Sequence, residues 1–156
     1  MSDHKIKNKE SLLSHGDTGA KAQVLELIKE LQKQVKTSML LITHDLGIVA
    51  ETCDSVAIMY AGRLVEYADI QHLYGNPLHP YTQGLFDAVP DLESPIGEKL
   101  AVIQGLPPDP TNLPRGCSFS PRCPYAQAEC LEKPCGMREI EPGHFIDCYF
   151  PHQYEG

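Results

Sequence analysis

The sequence has 156 residues, 42% of them hydrophobic, so it can form one domain of ordinary size or a partial domain with a small appendage. Its 13 Lys and Arg against 21 Asp and Glu give a formal charge of −8, which opposes attraction to phosphate backbones and excludes nucleic acid as a main partner. No apolar run is long enough to span a bilayer or to act as a secretory signal, so we expect a cytoplasmic protein.

The first half of the chain begins with a polar stretch. Residues 1–20 show neither helical nor strand periodicity, so we expect them to be disordered or foreign to the fold. From Lys21 onward apolar residues recur every three or four positions, which predicts an amphipathic helix. These apolar positions are Val24, Leu27, Ile28, Leu31 and Val35.

Strands and short helices follow. The continuous apolar run 39–43 predicts a strand of a parallel sheet, covered on both faces. Asp45 predicts the N-cap of a helix over 46–53. The runs 55–60 and 63–67, separated by Ala61-Gly62, predict a second buried strand and its hairpin partner.

Two further helices are predicted before regular structure gives way to loops. Asp69 predicts the cap of a short helix that ends at Tyr74. Pro80 suits the first turn of the next helix, and Pro90 closes it.

The last third of the chain is rich in proline and contains a group of cysteines. Cys117, Cys123, Cys130 and Cys148 lie in a segment with too few regularly spaced apolar residues to build a core by itself. Thiols gathered in such a segment indicate a bound metal or cluster. Disulfides are the alternative, but a cytosolic location would keep the thiols reduced.

The predicted fold class is α/β, with three segments. Residues 1–20 stand apart, 21–90 form a partial parallel sheet with helices, and 91–156 form a loop-rich, Cys-containing tail.

Two stretches resemble a known family. Residues 40–50 and 54–66 are similar to the switch-histidine region of an ABC transporter ATP-binding subunit. Residues 76–85, Asn-Pro-Leu-His-Pro-Tyr-Thr-Gln-Gly-Leu, together with the cysteine tail, resemble the oligopeptide/dipeptide importer branch. The resemblance covers about residues 22–151. It implies the C-terminal portion of an ABC-type ATPase domain followed by that branch's Cys-rich domain.

The resemblance gives His44 a role. In the family the matching histidine contacts the terminal phosphate of ATP, which makes His44 the candidate catalytic and nucleotide-binding residue. From spacing alone, His44 could instead cap the following helix. ATP and Mg²⁺ are the cofactors implied for the complete parent subunit.

Several of the family's motifs are missing from these residues. The sequence has no Gly-x-x-x-x-Gly-Lys-Ser/Thr loop, no signature stretch and no catalytic glutamate. The resemblance therefore implies a truncated energy-coupling subunit that does not hydrolyse ATP alone, so whether the chain is an enzyme stays open. Its implied partners are a sister ATP-binding subunit and transmembrane permease subunits at the inner face of the membrane. The uncovered strand at 39–43 also predicts self-association or domain swapping.

The four tail cysteines match the positions of the family pattern. Some members of the branch hold a 4Fe-4S cluster there, so the resemblance implies an iron-sulfur site, with zinc or unligated thiols as alternatives. The irregular spacing favours the cluster, because zinc ligands more often come in close pairs. A second hypothesis for the whole chain is a free-standing iron-sulfur or zinc-binding module without transport activity.

Other residues receive structural roles. We expect Cys135 to be a free thiol, Cys53 to pack as a small hydrophobe on its helix, and His144 to lie in an exposed turn after Pro142-Gly143. The 76–85 motif is expected to act as a structural bracket in which Tyr81 and Phe86 pack.

Overall fold

The computed structural model describes residues 18–89 and 102–154, which divide into two compact units, the first ending at Asp54 and the second beginning at Ser55. Residues 1–17 of the predicted N-terminal segment lie outside these ranges. The helix end predicted at Pro90 also lies outside them. The helices are α1 Thr18–Val35, α2 Leu46–Thr52, α3 Ile70–Gly75, α4 Pro80–Asp87 and α5 Ala128–Glu132, with a 3-10 turn at Ser120–Arg122. The strands are β1 Ser55–Tyr60, β2 Arg63–Asp69, β3 Arg138–Glu141 and β4 His144–Ile146. None of the helices described is long and apolar enough to cross a membrane.

The first unit contains the two predicted helices. The predicted N-cap is confirmed, because Oδ1 of Asp45 accepts a hydrogen bond from the Ile48 N–H at 3.1 Å. Nζ of Lys29 on α1 donates to the backbone oxygen of Glu51 on α2 at 2.7 Å. The predicted amphipathic helix is also confirmed, although its apolar residues are largely exposed: Val24, Leu27, Leu31 and Val35.

The predicted strand over 39–43 is wrong. These residues form neither helix nor strand, and Leu40 and Ile42 are 87% and 89% exposed. A strand needs a hydrogen-bonded neighbour, and within residues 18–89 and 102–154 this segment has no strand partner.

The second unit is built on a four-stranded sheet in the order β1-β2-β4-β3. Every pairing in it is antiparallel, so the predicted partial parallel sheet is wrong for the part of the chain described. The predicted hairpin is confirmed. Ala61 and Gly62 have φ of 47° and 76°, the two positive values that a tight turn between twisted strands requires. β1, predicted as a buried strand, is buried on one face only.

A bulge in the hairpin changes which side chains reach the core. Ile58 pairs with Glu66, whereas Met59 pairs with Leu64, so Val65 is the extra residue on β2. As a result Val65 and Glu66 are both buried, although they are adjacent in a strand. A carboxylate therefore enters the core of this unit.

The cysteine-rich tail belongs to the same unit as the hairpin. β4 pairs with β2, and Ile146 is fully buried opposite Glu66. Phe119, 2% exposed, packs edge-on against Tyr60 of β1, with ring centroids 5.2 Å apart. The apolar residues of the tail therefore share a core with the hairpin. The predicted domain boundary at 90–91 stays a prediction. The sheet joins β1 and β2, which precede this point, to β3 and β4, which follow it.

The 76–85 motif packs as a structural bracket. Pro80 occupies the first turn of α4, and Nδ1 of His79 accepts from the Tyr81 N–H at 3.0 Å as the helix cap. The Tyr81 ring lies 4.6 Å from that of Tyr60, and Phe86 packs edge-on against Tyr74 of α3. These contacts confirm the predicted packing roles of Tyr81 and Phe86.

Candidate metal centre

The four predicted ligand cysteines line a single pocket of the second unit. Cys117, Cys123, Cys130 and Cys148 face an empty volume of ≈ 370 Å³, part of it open to solvent. A fifth cysteine, Cys135, lines the same pocket, and all five are free thiols. Thiols separated by up to 31 positions in the sequence are thus brought to one place by the fold.

The backbone at the start of the 3-10 turn acts on the thiol of Cys117. The N–H groups of Phe119 and Ser120 lie close enough to lower the pKa of this thiol, and the Ser120 N–H donates a hydrogen bond to the Cys117 carbonyl at 3.0 Å. Burial has the larger effect and raises the pKa of Cys117 above its ordinary value. Nearby N–H groups stabilise a thiolate once it is formed, which is the ligand state of cysteine.

Cys123 and Cys148 repeat this arrangement. The N–H of Tyr125 points at the Cys123 thiol and that of Phe150 at the Cys148 thiol, in each case two residues beyond the cysteine. Burial nevertheless raises the pKa of Cys123, and it raises the pKa of Cys148 to about 12.

The four thiols also act on one another. Proximity to Cys117, Cys123 and Cys130 adds to the rise in the pKa of Cys148, because neighbouring thiolates would repel. A cation in the pocket would reverse this effect, since it favours the deprotonated ligands. In the ranges 18–89 and 102–154, however, no three His, Cys, Asp or Glu side chains converge in a group that could hold a metal ion.

Gly116 allows two of these cysteines to approach. The N–H of Cys117 donates to the carbonyl of Cys130 at 2.8 Å, which ties the first cysteine segment to α5. A Cβ atom on Gly116 would overlap this carbonyl and lie 2.7 Å from the carbonyl carbon of Leu131. Only glycine fits at this point of contact.

Two arginines fix the loops around the pocket. The guanidinium of Arg122, which precedes Cys123, donates to the carbonyls of Ile103 and Gln104 and to the hydroxyl of Tyr60, at 2.8 to 3.3 Å. Arg138 donates to the carbonyl of Cys148 through two nitrogens, at 3.1 and 2.7 Å.

A buried acid joins the hairpin, the bracket and the tail. Glu66 is fully buried and accepts from the N–H groups of Leu78 and His79, at 2.7 and 3.1 Å. Its Oε1 also lies 2.7 Å from Nε2 of His144. Because a carboxylate can only accept, Nε2 is assigned the hydrogen of that contact.

His144 corrects a prediction. It is fully buried in β4, not in an exposed turn, and its Nδ1 has no hydrogen-bond partner among the residues described. Glu66 had received no role from the sequence. The sequence carries no local signal for this position, because continuing the register of the turn would place Glu66 opposite Ala57, and only the bulge brings it opposite Ile58.

The remaining site predictions lie in the first unit. His44 is exposed, in a bend between 39–43 and α2, and the cap of α2 is Asp45. The alternative reading of His44 as the cap is therefore wrong. Cys53 is half-buried directly after α2, and it is not among the residues that line the cysteine pocket.

Comparison with known proteins agrees with the motifs. Residues 65–130 match the model of the oligopeptide/dipeptide transporter C-terminal region. The oligopeptide transport ATP-binding protein AppD of Bacillus subtilis is 44% identical over 140 residues, which cover 90% of this chain and 42% of the relative. The OppD protein of Salmonella typhimurium is 42% identical over 135 residues, or 86% of this chain and 40% of the relative. The OppD protein of Haemophilus influenzae is 45% identical over 133 residues, which cover 85% of this chain and 41% of the relative.

The chain thus contains a region that matches the oligopeptide/dipeptide transporter C-terminal region, and it is homologous to the C-terminal part of oligopeptide transport ATP-binding proteins. The chain spans about two fifths of the length of these relatives.

Proposed function

We propose that the chain supplies the C-terminal part of the energy-coupling subunit of a peptide-importing ABC transporter. The observation that carries the proposal is the identity of 42% to 45% to oligopeptide transport ATP-binding proteins over 85% or more of the chain. The buried Glu66 supports it, because it links the family's Asn-Pro-Leu-His-Pro motif to the tail in one unit. The subunit would work at the cytoplasmic face of the membrane with a sister ATP-binding subunit and the permeases.

His44 is the proposed contact of this segment with the terminal phosphate of ATP. Its side chain is exposed at the start of α2, so a nucleotide held by other parts of the subunit could reach it. The phosphate-binding loop does not occur in these 156 residues, so we expect no ATP hydrolysis from them alone.

Peptide uptake tests this role. Deleting the encoding gene in its host should abolish uptake of a labelled oligopeptide, and a plasmid copy should restore it. A copy with His44→Ala should fail to restore uptake. His72→Ala should succeed, because it removes only a surface imidazole of α3 and its 2.7 Å contact with Asp69. Unchanged uptake in the deletion strain would refute the transport role.

For the pocket we propose an iron-sulfur cluster of the four-iron type, ligated by Cys117, Cys123, Cys130 and Cys148. The residue type supports the proposal, since four cysteines line one pocket, but their side chains would have to move closer together to ligate the cluster, because no three of them converge among the residues described. When bound, such a cluster supplies a one-electron redox centre or a rigid inorganic link between the loops. Tetrahedral zinc would use the same four thiolates.

Metal analysis of anaerobically purified protein distinguishes these states. We expect iron and inorganic sulfide with visible absorption, lost in Cys148→Ser and retained in Cys53→Ser, whose thiol lies outside the pocket. Stoichiometric zinc without iron would select the alternative ligand. A folded, reduced protein that binds neither metal would overturn the metal centre.

The second candidate function is a metal-binding module that acts without transport. The five-thiol pocket favours it, because the pocket forms within the second unit alone. Calorimetric titration with Mg-ATP separates the two functions. Measurable affinity that depends on His44 supports the transport role, and bound metal without nucleotide affinity supports the module.

A further inference from the structure

Two histidines of the second unit are neighbours, and each is held by a carboxylate. The ring centres of His72 on α3 and His144 on β4 are 6.2 Å apart, and their planes are inclined by 57°. Nδ1 of His72 lies 2.7 Å from Oδ2 of Asp69. Nε2 of His144 lies 2.7 Å from Oε1 of Glu66. Each imidazole therefore has one ring nitrogen bound to a carboxylate and one that is not.

The two contacts determine which nitrogen of each ring carries a hydrogen. A carboxylate can only accept, so in the neutral rings Nδ1 of His72 and Nε2 of His144 are assigned the hydrogens. The other nitrogens, Nε2 of His72 and Nδ1 of His144, then have a lone pair and no hydrogen. Two lone pairs cannot form a hydrogen bond, so neither ring can satisfy the other, and each needs a hydrogen-bond donor or a cation.

Nδ1 of His144 is a buried nitrogen that the fold leaves unsatisfied. The His144 side chain is fully buried, and this nitrogen has no hydrogen-bond partner among the residues described. A buried acceptor without a partner is costly, and in a native protein it indicates an ion or a water molecule. The neighbouring His72 side chain is 45% exposed, so a cation can approach this pair from solvent.

We propose that His72 and His144 together bind one divalent transition-metal cation, such as Zn²⁺, through Nε2 of His72 and Nδ1 of His144. Imidazole suits these ions, and a metal-binding histidine usually donates its other N–H to a carboxylate or carbonyl, as both rings do here. Two imidazoles on one ion, with metal–nitrogen bonds of about 2.0–2.1 Å, have ring centres roughly 5–6.5 Å apart. The observed separation of 6.2 Å lies within this range.

The protein supplies two ligands and water supplies the others. In residues 18–89 and 102–154 no three His, Cys, Asp or Glu side chains converge in a group that could hold a metal ion. Asp69 and Glu66 are positioning residues, because they orient the rings and do not touch the ion. The bound cation would join α3 to β4 and so stabilise the folded unit. The proposal requires neither the cysteine centre nor the transport role, and we assign this site no part in peptide uptake.

Nitrogen-15 NMR of the imidazole rings tests the site directly. At about pH 8, above the ordinary titration range of histidine, the metal-free protein should carry hydrogen on Nδ1 of His72 and on Nε2 of His144. Titration with zinc chloride should then shift the other nitrogen of both rings together. Zinc bound by the cysteines does not produce this paired shift. His44→Ala removes an exposed imidazole of the first unit and should leave it unchanged.

Two variants separate ligation from positioning. His72→Ala removes one ligand, so the zinc-dependent shift at His144 should disappear. Asp69→Asn keeps an oxygen that can cap α3 but removes the carboxylate that orients the His72 ring. We expect it to weaken zinc binding at the pair by about 10–100-fold.

Two results would overturn the proposal. If zinc leaves Nε2 of His72 and Nδ1 of His144 unshifted, water alone satisfies the buried nitrogen. If the shift at His144 is the same in wild type and in His72→Ala, the two rings do not bind one ion. Absence of a metal from the cysteine pocket, or of any effect on peptide uptake, leaves both readouts untouched, so failure of those proposals is distinguishable from failure of this one.

Discussion

Glu66 and His144 stand 78 positions apart in the sequence and are hydrogen-bonded at 2.7 Å, with both side chains fully buried. The same carboxylate holds the N–H groups of Leu78 and His79. One side chain thus connects the hairpin, the Asn-Pro-Leu-His-Pro motif and the Pro-Gly-His segment before Cys148. The arrangement of the cysteine tail on the sheet depends on this acid.

Replacing Glu66 tests that dependence. Glu66→Ala leaves two backbone donors and a histidine nitrogen buried without an acceptor, so we expect a loss of about 3–5 kcal/mol in the free energy of unfolding. Urea unfolding followed by circular dichroism measures the loss. Glu141→Ala, on the exposed strand β3, serves as the control and should change stability by no more than about 0.5 kcal/mol. A similar small change in Glu66→Ala would contradict the anchoring role.

His79 makes stability depend on pH. Burial lowers the pKa of His79 to about 4 from an ordinary value of 6.5, although the nearby carboxylates of Glu66 and Asp147 raise it. The unfolded chain therefore binds a proton at a higher pH than the folded protein, and stability rises with pH over this window. As pH falls from 6.5 to 4, we expect the protonation of His79 in the unfolded chain to lower the free energy of unfolding by about 3 kcal/mol.

The matched variant is His79→Asn. Asparagine keeps an oxygen that can accept from the Tyr81 N–H at the start of α4, but it does not titrate. Thermal unfolding at a series of pH values should show a flatter profile between pH 4 and 6.5 in the variant, whatever its absolute stability. An unchanged slope would assign the pH dependence to other groups.

Several local features of both units could be predicted from the sequence. The caps Asp45 and Asp69, the Ala61-Gly62 turn and Pro80 act through neighbouring residues, so their signals lie in the sequence itself. The strand over 39–43 could not be judged this way, because a strand exists only with a partner. The antiparallel pairing of β2 with β4 joins residues far apart and leaves no local signal either.

In the candidate site, too, some residues could be identified from the sequence and others could not. The sequence singles out the four cysteines that line the pocket, because cysteine is rare and its chemistry narrow, while their role as metal ligands stays a prediction. The burial of Glu66 could not be predicted from residue type, since acids are mostly exposed and its inward position follows from a bulge at Val65. The burial of His144 could not be predicted either, because its hydrogen-bond partner Glu66 lies 78 positions away in the sequence.

Gly116 is predicted to be essential for the shape of the pocket. Gly116→Ala places a methyl group on the Cys130 carbonyl, so the contact between Cys117 and Cys130 must open. We expect a loss of about 1–3 kcal/mol or more in stability, with reduced metal content if these cysteines are ligands. Gly75→Ala is the control, because a methyl group there meets no atom within 4 Å and α3 favours alanine. Equal stability of the two variants would contradict the close approach.

The exposed apolar face of α1 leads to the last prediction, that the isolated chain self-associates. Leu27 and Leu31 are 59% and 57% exposed, and burying one such side chain is worth about 1.5–3 kcal/mol. Light scattering on a size-exclusion column should show a concentration-dependent oligomer that Leu27→Glu converts to monomer. Leu131→Glu changes a leucine of the same 59% exposure on α5 and should leave the oligomer intact. A wild-type chain that stays monomeric at high concentration would remove α1 as an association surface, and equal effects of the two substitutions would assign association to general surface hydrophobicity.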